Sequence, residues 1–178
     1  MTLGAPAPPT VLCRVGVHDV PDRLRSLCTF GKPDYIDSFT LNTSAARERS
    51  AEGWARAILE EAALARRSAR RLWQFIGLQL GPPPYSDAHV QGWVIADTGP
   101  NWIRLETRSW YLAAQAVCLV DDAEVSLSLS TRYAHRFVGR FVWAFVVSPH
   151  QRAVPIMLRQ ALALVVDPLS RSGTTLDP

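Results

Sequence analysis

Four histidines, His18, His89, His135 and His150, are the side chains best suited to move a proton or hold a metal near neutral pH. No two of them lie three or four residues apart, so no helical metal pair is expected. His150 opens the expected last helix beside Arg152, where it would meet an acidic headgroup or sit, half-exposed, in a first turn. His135, near Tyr133 and Arg136, marks a strand-to-helix junction and offers either a His–Tyr proton-transfer pair or an ordinary junction residue. Glu106 stands between Arg104 and Arg108 on one face of an expected strand. Facing a cavity it would be a general base. Facing solvent, the three are strand neighbours worth about 0.2–1 kcal/mol per pair, and that role is the one expected. Asp34 and Asp37 are three apart on a strand, hence on opposite faces, and do not form an acid–base carboxylate pair. Ser109, Ser126, Ser128 and Ser130 lack an adjoining base, and neither a G-x-S-x-G elbow nor a phosphate-cradling glycine loop occurs. Cys13, Cys28 and Cys118 match no metal spacing and no disulfide framework. No catalytic residue, metal ligand or cofactor is therefore assigned.

The elements that must position these groups follow from periodicity. Val11 to Val17 reads as a short strand or lead-in, and Asp22 to Leu27 as a short helix. From Asp34 to Leu41 the chain alternates, with Tyr35, Asp37, Phe39 and Leu41 on one face and Ile36, Ser38 and Thr40 on the other. Residues 45–79 read as helical. Ser50 offers an N-terminal cap, and Trp54, Ile58, Leu59 and Ala62 form an apolar stripe. A second helix from about Ala65 presents Leu72, Trp73, Phe75, Ile76 and Leu80, and Pro82, Pro83 and Pro84 stop it. Four strands are then expected: Val90 to Asp97, Trp102 to Trp110, Leu112 to Val120, and Val125 to Tyr133. From His135 the period is helical again. Phe137, Phe141 and Phe145 make one stripe, Ser148-Pro149 breaks or restarts the helix, and the last helix runs from His150 to Val166, with Pro155 placed to kink it.

The 178 residues are 48% hydrophobic and 20% charged, which excludes an intrinsically disordered chain and fits one domain with a sizeable core. No run approaches the ~18 apolar residues of a membrane span. The first ten residues have neither a basic nor an apolar signal region, so no secretory signal is expected and the cytoplasm is the expected compartment. The 19 basic residues are arginines apart from Lys32. Residues 85–125 carry net −4, whereas 47–71 carry +3 and 132–171 carry +5, so the total of +3 is a difference between acidic strands and basic helices. That total is too small to indicate nucleic acid, and Arg66, Arg67, Arg70 and Arg71 read as a solvated helix face.

The order strand, helix pair, antiparallel meander and long C-terminal helix defines an α+β chain whose curved sheet wraps the last helix. Together with "DYIDSFTL" at 34–41, "HVQGWVIADTGPNWIRLETRSWYLAA" at 89–114, "VDDAEVSLSLSTRY" at 120–133 and "FVWAFVVSPHQRAVPIMLRQAL" at 141–162, it resembles the helix-grip fold of the START-like (SRPBCC) superfamily. More narrowly it resembles an actinobacterial subgroup of unknown function. The resemblance implies a START-like domain at 34–167, an N-terminal extension at 1–33 and a flexible tail at 168–178. It implies a cavity between sheet and C-terminal helix that takes an apolar small molecule or lipid, with Trp93, Leu105, Thr107, Phe141, Phe145 and Met157 expected to line it. Some members of the superfamily are cyclases or aromatases, which is the enzymatic alternative. The helix 136–147 is apolar on most of its circumference, which fits burial on both sides, a membrane surface or a second copy of the chain as partner.

Overall fold

In the computed structural model, which describes residues 9–62, 70–81 and 86–167, the alternating stretches pair into one antiparallel sheet. Its strands are β1 (Val11–Val15), β2 (Tyr35–Asn42), β3 (His89–Val90), β4 (Trp93–Thr98), β5 (Trp102–Arg108), β6 (Leu112–Val120) and β7 (Glu124–Tyr133). They lie in the order β1-β2-β7-β6-β5-β4-β3, so β2 returns to pair with the last strand of the meander. The helices are α1 (Asp22–Arg25), α2 (Ala51–Arg56), α3 (Arg70–Phe75) and α4 (Arg136–Val166), with a π-helical stretch, Ala57–Glu61, continuing α2. The expected α+β class holds, with the long C-terminal helix packed on the sheet. No described helix is long and apolar enough to cross a membrane.

Strand alternation gives the sheet two unequal faces. On the inner face, Phe39, Leu41, Ile103, Leu105, Cys118 and Leu127 meet Trp54 and Ile58 of the α2 segment and Val154 and Leu158 of α4 in the main core. Trp54 is fully buried, and its indole N–H donates to the Ala46 carbonyl at 2.7 Å. On the outer face, Ile36, Val117 and Leu119 are covered by Val20 and Leu24 of the N-terminal segment. Arg23 fastens that segment by pairing with Asp121 and Glu124 at the β6–β7 turn, and the Thr29 amide donates to Gln115 Oε1 at 3.0 Å.

Ser50 caps α2 as expected, its hydroxyl accepting from the Gly53 amide at 3.1 Å. Farther along, in the π-helical stretch, Glu60 is buried, its side chain 1% exposed. It accepts from the Gln91 amide at 2.7 Å and from Arg56 at 3.3 Å. Arg56 also donates to the carbonyls of Ser86 and His89, at 3.1 and 3.2 Å. This pair locks α2 to the β3–β4 connection.

Three expectations are corrected. Val90 to Asp97 is not one strand but a hairpin, because Gln91 and Gly92 take φ of 51° and 88° and reverse the chain in two residues. Ser148-Pro149 does not break the helix, which runs 31 residues through Pro149 and Pro155. Trp143 before the prolines and Val154 between them are both buried, and that packing outweighs the missing amides. The expected apolar face after Ala65 is only partly used: Trp73, Ile76 and Leu80 pack half-buried against the core, while Phe75 is 88% exposed. The start of that helix near Ala65, Arg66 and Arg67, the three prolines at 82–84, and the tail from 168 lie outside the described residues.

Candidate functional site

The site is built where α4 crosses the inner face. There β6 supplies Ala114 and Ala116, side chains too small to fill the space between sheet and helix. α4 faces that gap with Trp143, Pro149, His150, Val154 and Met157, and α3 closes its flank with Leu72 and Trp73. The result is a cavity of about 290 Å³ walled almost entirely by apolar side chains. A smaller space of about 60 Å³ lies beneath it toward β2, bordered by Asp37, Phe39 and Leu127. The two share Trp73, Trp93, Leu129, His150, Val154 and Met157.

The ionisable groups of this wall form one cluster, and apart from it the indole N–H groups of Trp93 and Trp143 are buried on the cavity wall with no hydrogen-bond partner among the described residues. Asp37 is fully buried. Its Oδ2 accepts from the Tyr35 hydroxyl at 2.6 Å and pairs with His150 Nε2 at 2.9 Å. Gln151 Nε2 donates in turn to the Tyr35 oxygen at 3.1 Å. Burial, followed by the neighbouring Asp37 charge, pushes the Tyr35 phenol well above its ordinary pKa, so the hydroxyl stays a donor. The His150 ring is fixed edge-on to Phe39 with centroids 5.6 Å apart, and tilted against Trp143 at 5.9 Å. Asp37 Oδ1 is buried and has no hydrogen-bond partner among the described residues. No lysine or arginine among the described residues borders either space. The arrangement can enclose an apolar body and present it with one carboxylate–imidazole pair and the two indole donors of Trp93 and Trp143.

Of the residues expected to line a cavity, Trp93 and Met157 border both spaces. Leu105, 1% exposed, is solid core beside neither. Thr107 is buried elsewhere, its hydroxyl donating to the Gln79 carbonyl at 2.9 Å. Phe141 and Phe145, each 67% exposed, stack edge-to-face in an open groove with Phe75 and Trp110. That groove adjoins the cavity through Leu72, Ile76, Val146 and Pro149. Glu106 lies on the outer face, half-exposed, accepting from Gln115 at 2.9 Å and Arg104 at 3.2 Å. His135 packs against Trp110 at the foot of α4. Among the described residues no group of three or more His, Cys, Asp or Glu could hold a metal ion.

The Asp37–His150 pair escapes sequence reasoning, since 113 residues separate its members. One signal was present: Asp37 shares its strand face with Phe39 and Leu41, a charge on a core-facing row.

Comparison with protein-family models, with curated proteins and with solved structures gives no match for this chain.

Proposed function

We propose that this protein is a START-like, helix-grip domain that binds an apolar small molecule or lipid between its sheet and its C-terminal helix, without a chemical step. The observation that carries this reading is the 290 Å³ apolar cavity under α4, whose walls come from the sheet, α3 and α4 together. A gap of this size between well-packed elements forfeits dispersion contacts that a ligand restores. Its placement between an antiparallel sheet and a long C-terminal helix supports the resemblance of residues 34–167. Glu106 borders neither space under α4, which supports the binding reading over a cyclase-like one built on that residue.

Native mass spectrometry of the purified full chain, with displacement of an environment-sensitive apolar dye, tests the reading. The expected result is a bound mass of a few hundred daltons or saturable dye binding. Ala153→Phe, which places a ring into the cavity from α4, should abolish it. Absence of both signals in the wild-type protein overturns the proposal.

One observation favours a second role beside it. Phe137, Phe141 and Phe145 are 94%, 67% and 67% exposed along a single helix face, which fits a dimer contact. Sedimentation at micromolar concentration decides this: a dimer supports it, a monomer removes it.

A further inference from the structure

We infer that the ligand of this cavity carries a hydroxyl group, and that Asp37 is the residue that selects for it. The inference rests on the binding role proposed above and names the class of molecule bound. Three observations converge. Both protein donors of the cluster, the Tyr35 hydroxyl and His150 Nε2, go to Asp37 Oδ2, which leaves Oδ1 buried and unpartnered among the described residues. A buried carboxylate oxygen left without a donor is costly, and a ligand donor removes that cost.

The shape of the space agrees. Asp37 borders the 60 Å³ recess and not the larger cavity. A recess of that size takes a group about as large as one or two water molecules. The 290 Å³ cavity above it takes the apolar body. The two share His150, Trp93 and Met157, so one molecule can occupy both.

Charge narrows the class. With Asp37 in the wall and no arginine or lysine beside it among the described residues, a carboxylate or phosphate headgroup meets repulsion, and its one basic neighbour, His150, is already paired with Asp37. An ammonium brings three donors to one free acceptor and strands the others in an apolar enclosure. An alcohol or phenol brings one donor to one acceptor. The cavity is thus complementary to a neutral, compact alcohol or phenol, entering hydroxyl first.

Isothermal titration of the full chain with 1-naphthol, 1-methoxynaphthalene and naphthalene tests this. The ring system is common to all three, and only naphthol can donate. The wild-type protein should bind naphthol at least tenfold more tightly than either analogue, because a site that holds a buried acceptor rejects molecules that cannot satisfy it. Asp37→Asn should collapse the preference to within about threefold, since its carbonyl takes the place of Oδ2 and its amide nitrogen falls where the free acceptor was. Tyr35→Phe, which leaves Oδ1 untouched, should retain it. Equal wild-type affinity for the three compounds overturns the hydroxyl assignment while leaving apolar binding intact. A tenfold preference that survives in a folded Asp37→Asn, checked by circular dichroism, overturns the role of Asp37. No binding of any of the three overturns the binding reading and this inference with it.

Discussion

Two carboxylates are buried on the inner side of this sheet, and they are treated differently. Glu60 is saturated: one oxygen takes the Gln91 amide, and both lie within reach of Arg56. Asp37 has two donors crowded on one oxygen and none on the other. The first arrangement is what a structural charge requires, because taking an ion out of water is tolerable only when its hydrogen-bonding capacity is met. The second leaves an acceptor empty beside an empty space. Residues shaped by function need not be optimised for stability, and the proposed ligand role of Asp37 would account for the contrast.

The contrast makes predictions that differ in size. Glu60→Ala should have the largest effect. It strands Arg56 and the Gln91 amide and should lower the unfolding free energy by about 3 kcal/mol, the low end for a broken buried pair, because Arg56 keeps Glu52 at 2.8 Å. Urea unfolding measures this, and a loss below ~1 kcal/mol would erase the distinction. Asp37→Asn should change stability by no more than about 1 kcal/mol. It weakens the bonds from Tyr35 and His150 but removes an ill-satisfied charge, and the two changes oppose each other. A loss as large as that of Glu60→Ala in the same assay would make Asp37 another structural anchor.

The smallest effect is in pH dependence. The Tyr35 phenol is raised in the folded protein by burial and by Asp37, so at high pH the unfolded chain ionises it first. The native state then holds the extra proton. The stabilisation is full below the ordinary phenol pKa of about 10 and declines as pH climbs above it. Tyr35→Phe should flatten that decline in denaturation curves taken between about pH 9 and 11. An unchanged slope would mean that neither burial nor the Asp37 charge raises the phenol.

Much of the fold was legible, because period-two alternation in β2, β5 and β7 is enforced by having one face in the main core. The β3–β4 hairpin was not. Gln91 has no turn propensity of its own and is held at positive φ beside Gly92 by the buried Glu60, a tertiary cause. Pro149 misled for a related reason, since local grammar says stop while Trp143 and Val154 are buried on either side of it. The candidate site was half legible. Trp93 and Met157 were readable as apolar residues on core-facing rows. Phe141 and Phe145 carried the same apolar signal and lie in the open groove, because composition shows that a helix is apolar but not which turns meet the sheet. The chemistry of the wall depended on β2 and α4 meeting, which no local pattern encodes.

The two prolines of α4 have a mechanical consequence. Each lacks the amide that would bond four residues back, so the carbonyls of Phe145 and Gln151 lose their rungs in the backbone ladder. Those missing rungs flank His150 on both sides. The helix nevertheless stays continuous, held on one side of those gaps by Val138, Val142 and Trp143 and on the other by Val154 and Leu158. The headroom beneath the imidazole is thus kept by side chains anchored on either side of it, where the backbone ladder itself is incomplete.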